Sequence, residues 1–147
     1  MKKLMLFLII INFSCSNTEK KSTVDFTTKF EKSKGTETTT YFETIEYYKK
    51  LANSFPEISL IEIGETDSGY PLNLVVFNSS KEFDFSKISN TKNIILINNA
   101  IHPGESDGVD ASMLLLRDIV QDKNNIAQFK NVVIAVIPIY NIGGALN

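Results

Sequence analysis

One cysteine, one histidine and one arginine are all that this 147-residue sequence holds of three residue types that carry much protein chemistry: Cys15, His102 and Arg117. A single cysteine excludes an intrachain disulfide. A single histidine excludes any metal site or acid–base relay that needs two imidazoles from this chain. A single arginine leaves almost no capacity for the bidentate grip on carboxylates that the guanidinium fork provides. Excess positive charge is absent too. The net charge is −2 and no basic stripe appears anywhere, so nucleic acid is not an expected partner. At 43% hydrophobic and 22% charged, the composition lies outside the disordered and fibrous ranges and is ordinary for a soluble globular protein.

No apolar run is long enough to span a bilayer. The longest opens the chain: Met1-Lys2-Lys3 is followed by an unbroken apolar stretch from Leu4 to Ile11, then Asn12-Phe13-Ser14-Cys15. Eight helical residues rise only about 12 Å against a hydrocarbon core of about 30 Å. The segment therefore reads as a signal peptide over 1–15. Cys15, directly after the run, resembles a bacterial lipoprotein processing site and is the expected lipidation position. This implies a membrane-anchored protein of the bacterial cell envelope, the alternative being a secreted or periplasmic one. Residues 16–38 are rich in Lys, Thr, Glu and Ser and read as a flexible tether.

The domain is then 39–147. Thr40 and Glu43 have capping-box spacing. Phe42, Ile45, Tyr48, Leu51, Ala52 and Phe55 recur at helical spacing up to Pro56, which stops the helix. Residues 59–64 and 72–77 read as strands joined by a turn at Asp67-Ser68-Gly69-Tyr70-Pro71, a hairpin. Residues 83–93 read as a polar connector. Residues 93–98 form a continuous apolar run, which predicts a strand buried on both faces. Val109, Met113, Leu116 and Val120 mark one face of a helix ending near Asp122, with Arg117 as a solvated charge on it. A last apolar strand covers 132–137. Strand, helix, strand is the βαβ pattern. The expected architecture is three-layer α/β/α with a mixed, mostly parallel sheet, ending at the 132–137 strand. Because the sequence stops just after that strand, it is expected to be the truncated N-terminal part of a larger domain.

The chemistry concentrates between the apolar strand and its helix, in Asn98-Asn99-Ala100-Ile101-His102-Pro103-Gly104-Glu105-Ser106-Asp107-Gly108. Ligands of α/β sheets gather at the C-terminal ends of strands. An imidazole and a carboxylate in a tight Pro-Gly loop can aim at one point, as two members of a catalytic zinc site do. The same residues also allow a plainer reading, with Glu105, Ser106 and Asp107 serving the helix start.

The order of elements resembles the zinc metallocarboxypeptidases of the carboxypeptidase A/B type, over about residues 40–147. The resemblance rests on Glu62-Ile63-Gly64 through Ser68-Gly69, on Ile101-His102-Pro103-Gly104-Glu105, and on Ile137-Pro138-Ile139-Tyr140-Asn141-Ile142-Gly143-Gly144. It implies that His102 and Glu105 are Zn2+ ligands and that the activity is hydrolysis of C-terminal residues from peptides. It also implies that the third ligand, the general base and the substrate-binding arginines lie past residue 147, so no catalytic residue falls within this chain, which is expected to be inactive alone. Two departures stand out. Pro103 and Gly104 occupy the positions where some members carry an arginine, and Ile142-Gly143 replaces an Asp-Gly. Two other functions share the early fold: a zinc deacylase of N-acyl amino acids, and a non-catalytic surface lipoprotein.

Overall fold

The computed structural model describes residues 24–147. The expected signal peptide, Cys15 and the first part of the expected tether lie outside these residues. In chain order the elements are α1 (Lys29–Lys32), α2 (Tyr41–Ser54), β1 (Ile58–Glu65), β2 (Pro71–Asn78), α3 (Phe85–Ile88), β3 (Asn93–Asn98), α4 (Asp107–Gln121), α5 (Lys123–Gln128), β4 (Val132–Ile137) and α6 (Ile142–Ala145). No helix among the described residues is long and apolar enough to cross a membrane.

Local chemistry sets the boundaries. Thr40 and Glu43 form the expected capping box, the Thr40 hydroxyl accepting from the Glu43 N–H and the Glu43 carboxylate from the Thr40 N–H. The helix ends at Ser54, two residues before Pro56. Gly69 takes a φ of +78° in the hairpin turn, where a side chain would be strained. Tyr48 and Leu51 on α2, and Met113 and Leu116 on α4, are fully buried against one face of the sheet. Each such side chain contributes about 1.5–3 kcal/mol by leaving water. Phe42 departs from the expected core face: it is 54% exposed, and its neighbour Tyr41 takes the buried position.

The fold is α/β, as expected, but the sheet is not mostly parallel. Its order is β1-β2-β4-β3. β1 with β2 and β2 with β4 run antiparallel, and only β3 with β4 is parallel. The βαβ unit is real, yet a hairpin contributes half of the strands, and its second strand docks antiparallel to β4. Nor does β4 end the sheet: it lies between β2 and β3, and β3, like β1, is an edge strand. The expectation of a β3 buried on both faces fails for that reason. Ile94, Ile95 and Leu96 are 40–61% exposed. α2 and α4 cover one sheet face, while Leu74, Val76, Val133, Ala135 and Ile137 on the other pack with Phe83, Phe85 and Ile88. The polar connector thus contains a short helix whose Ile88 is buried.

The segment from Val24 onward is not a loose tether. Phe26 is buried and packs its ring against Tyr47 and Phe55, with centroids 6.1 and 5.6 Å apart. Thr28 and Glu31 build a second capping box at α1. Arg117 is not a solvated charge: its guanidinium pairs with Glu31 and Asp118 and donates to the Phe26 carbonyl at 3.3 Å. That pairing, ahead of the hydrogen bonds from Thr28, holds the Glu31 carboxyl below its ordinary pKa. The segment's polar composition hid two anchors, one aromatic and one ionic, whose partners lie far away in sequence.

Candidate metal centre

Because β3 and β4 are parallel and adjacent, their C-terminal ends emerge side by side. The two loops that follow are joined by backbone hydrogen bonds. The Asn99 N–H donates to the Ile137 carbonyl at 3.1 Å, the Tyr140 N–H to Asn99 at 2.9 Å, and the Asn141 N–H to Ala100 at 3.1 Å. The sheet ladder is in effect extended past its strands, which fixes the base of the His102 loop.

Side chains complete the frame. Asn99 is buried, and its Nδ2 donates to Ser112 Oγ on α4 at 2.9 Å. A Cβ on Gly108 would stand 2.6 Å from Asn99 Oδ1, so the absence of a side chain there lets the first turn of α4 close over this asparagine. Asn141 Oδ1 accepts from the Gly144 N–H at 2.9 Å, and its Nδ2 points to the Ile101 carbonyl at 3.4 Å. A Cβ on Gly144 would come within 2.4 Å of Pro103 Cγ, so the His102 loop rests directly on α6 backbone. Ala100 takes a φ of +49°, a conformation that costs a non-glycine residue about 1–2 kcal/mol. It is held there by burial and by the paired loops.

On this frame the Glu105 N–H donates to the His102 carbonyl at 3.0 Å, closing a tight turn. His102 Nδ1 lies 3.2 Å from each Glu105 oxygen. Both side chains are about three-quarters exposed. Glu105 does not serve the helix. α4 begins at Asp107 after Ser106, which makes no side-chain cap, and the Glu105 carboxylate faces the imidazole instead. Two ligands at about 2.0–2.2 Å from one tetrahedral zinc ion stand about 3.4 Å apart. The His102–Glu105 spacing is close to that, so the donor types and their separation fit two corners of such a site. Among the described residues no group of three or more His, Cys, Asp or Glu side chains converges, so these two do not complete a cage.

Beside the loop, a cleft of about 410 Å³ separates the hairpin turn from the strand ends. Thr66 and Asp67 form one wall, and Ile101, Tyr140 and Asn141 the other. Cys15 lies outside the described residues. Arg117 sits on the far part of α4 with the 24–32 segment and takes no part in this arrangement. Sequence reasoning missed Asn99, Gly108 and Gly144 as the supports of the loop. The Asn-Asn pair closing an apolar strand was the one visible hint.

The model of the zinc carboxypeptidase family matches residues 44–145. No curated protein matches the chain significantly in sequence. Among solved structures, carboxypeptidase A from Helicoverpa armigera is similar to 74% of this chain at 18% identity, with a TM-score of 0.61 and 25% of its own length covered. Thrombin activatable fibrinolysis inhibitor matches 72% of this chain at 17% identity, with a TM-score of 0.55 and 26% of its length. A metallo-carboxypeptidase from Burkholderia cenocepacia matches 67% at 20% identity, with a TM-score of 0.52 and 26% of its length. The chain spans about a quarter of the length of these structures.

Proposed function

Since the chain belongs to the zinc carboxypeptidase family, we propose that its β3–α4 loop supplies two zinc ligands, His102 and Glu105, to a site that hydrolyses C-terminal residues from peptides. The observation that carries this reading is the geometry of the pair: His102 Nδ1 stands 3.2 Å from both Glu105 oxygens, on a loop pinned at both ends. A bound zinc ion would polarise a peptide carbonyl and lower the pKa of water. The residues of this chain hold and orient. His102 and Glu105 offer an imidazole nitrogen and a carboxylate, and Asn99, Gly108 and Gly144 support the loop that carries both. The adjacent cleft, walled by Thr66 and Asp67 opposite Tyr140, is where this reading seats the peptide. The chain contains one histidine, so a second imidazole ligand must come from outside it.

Two ligands alone bind weakly. Four-ligand structural zinc sites are worth about 10–16 kcal/mol. An even division gives this pair roughly half of that, which corresponds to micromolar affinity or weaker, and no hydrolysis is expected from the chain by itself. The single histidine makes the test clean. Zinc titrated into the 147-residue chain should shift the one set of imidazole NMR signals. Glu105→Gln should weaken binding at least tenfold, and His102→Ala should remove it. If zinc binds while the His102 signals stay in place, or if both variants bind as the parent does, the loop is not the metal site.

A further inference from the structure

A cavity of about 820 Å³ lies away from the strand ends. It is a groove between α2 and the β1–β2 hairpin, within the size range of ligand sites. Three aromatic rings stand at one end of it. Tyr41 and Phe42 from the start of α2 and Tyr70 from the hairpin turn have centroids 5.3, 5.7 and 5.4 Å apart, in tilted or edge-on contact. Phe42 and Tyr70 are 54% and 39% exposed. Water therefore meets a continuous aromatic surface that the sequence pattern would have placed, in part, in the core.

Besides Lys49, Asn53 and the tyrosine hydroxyls, the polar groups of the groove are the carboxylates Glu46 and Glu62 and the amide of Asn73. Asn73 is buried, and its Nδ2 donates to the Pro71 carbonyl at 2.9 Å and to Tyr41 Oη at 3.4 Å. A carbonyl partner must face the amide NH2, so the Asn73 Oδ1 is left as an acceptor. It receives no donor among the described residues. Glu62 is paired directly across from Asn73 in the β1–β2 register, which sets their side chains about 5 Å apart on one face. Glu46 lies on the α2 wall. Neither carboxylate has an ion-pair partner among the described residues, and Lys49, the one cation of the lining, pairs with neither. Burial first, and then the Glu62 charge, keep the Tyr41 phenol un-ionised by raising its pKa. At the outer side of the groove β1 is a sheet edge with no further strand among the described residues, and such an edge can pair with an added strand.

We propose that this groove binds an arginine side chain presented by an extended peptide. The guanidinium lies over Phe42 and Tyr70, donates to Asn73 Oδ1 and Glu62, and the peptide backbone runs along β1. Guanidinium matches this lining because it is planar, stacks on aromatic faces and carries five donors and no acceptor. A carboxylate ligand would meet Glu46 and Glu62, and an aliphatic one would leave Asn73 Oδ1 unpaired.

The test is an amide NMR titration of the full 147-residue chain with the blocked peptide acetyl-Ala-Ala-Arg-Ala-Ala-amide, beside versions carrying Lys, Leu or Glu at the centre. The arginine peptide should perturb Phe42, Glu62, Tyr70 and Asn73 and bind at least tenfold tighter than the leucine peptide. Tyr70→Leu and Phe42→Leu alter exposed rings and should keep the fold, as a thermal melt verifies. Each should weaken binding about two- to fivefold. Glu62→Gln should weaken it by a similar factor. Equal binding of the leucine peptide, perturbations mapping to another surface, or unchanged affinity in all three variants would overturn the proposal. Equal binding of the lysine peptide would overturn the arginine assignment.

Discussion

Strands β3 and β4 are hard to tell apart as text: Asn93-Ile94-Ile95-Leu96-Ile97-Asn98 and Val132-Val133-Ile134-Ala135-Val136-Ile137 are six-residue strands built around unbroken apolar runs. They pair with each other in parallel, residue for residue. Yet Val133 to Ile137 are all buried, while Ile94, Ile95 and Leu96 are 40–61% exposed. The whole difference is position. β4 has a neighbour on each side and a covered layer above and below, whereas β3 has one neighbour and stands at the edge. An apolar run reports that a strand can be buried. It does not report which strand is.

The sharpest way to break this comparison is to remove the same kind of side chain from each strand. Ile134→Ala, in the core between β2 and β3, should cost about 2–5 kcal/mol. Urea unfolding should show this as a lower midpoint at unchanged slope. If Leu96→Ala costs as much, β3 is as buried in solution as β4, and the contrast disappears.

A smaller effect tests the same lesson in polar residues, where charged side chains that look solvated are in fact packed. Arg117→Ala should cost about 1–2 kcal/mol, since charge-assisted hydrogen bonds are lost but Glu31 remains a third exposed. The 24–38 segment should then be cut by protease faster than the rest of the domain. The pair also has a pH signature. The carboxyl of Glu31 has a lower pKa folded than unfolded, so its contribution is fully present above the ordinary value of 4.5 and is lost as pH falls through the folded value. The parent should therefore lose part of its stability in acid below about pH 4.5. The Arg117→Ala variant should lose less over that range. An identical acid profile in the two proteins would separate Glu31 from Arg117.

The smallest change in stability is expected at the edge. Leu96→Ala should stay within about 0.5 kcal/mol, as exposed substitutions do. Leu96→Lys should leave the melting curve nearly unchanged while reducing self-association, because a charge on an apolar edge strand opposes edge-to-edge pairing. Light scattering at raised concentration measures this, and equal scattering from parent and variant would show that β3 is not the sticky edge.

What the sequence by itself determined is what short-range chemistry determines. The Thr40–Glu43 capping box, the helix stop before Pro56, the turn at Gly69 and the apolar stripe of Val109, Met113, Leu116 and Val120 all involve partners a few residues apart. The placement of His102 and Glu105 at the end of an apolar strand was legible in the same way, because strand, loop and helix follow one another in the chain. Only the tertiary structure decided how the hairpin docks on β4, and hence that the sheet is mostly antiparallel with β3 outermost. It alone showed that Arg117 reaches back to Phe26 and Glu31, and that Asn99, Gly108 and Gly144 hold the His102 loop. Each of those depends on two surfaces meeting across many residues of chain. Local periodicity and capping carry no record of which surfaces those are, because the free energy that selects them comes from burial and pairing formed only when the whole sheet assembles.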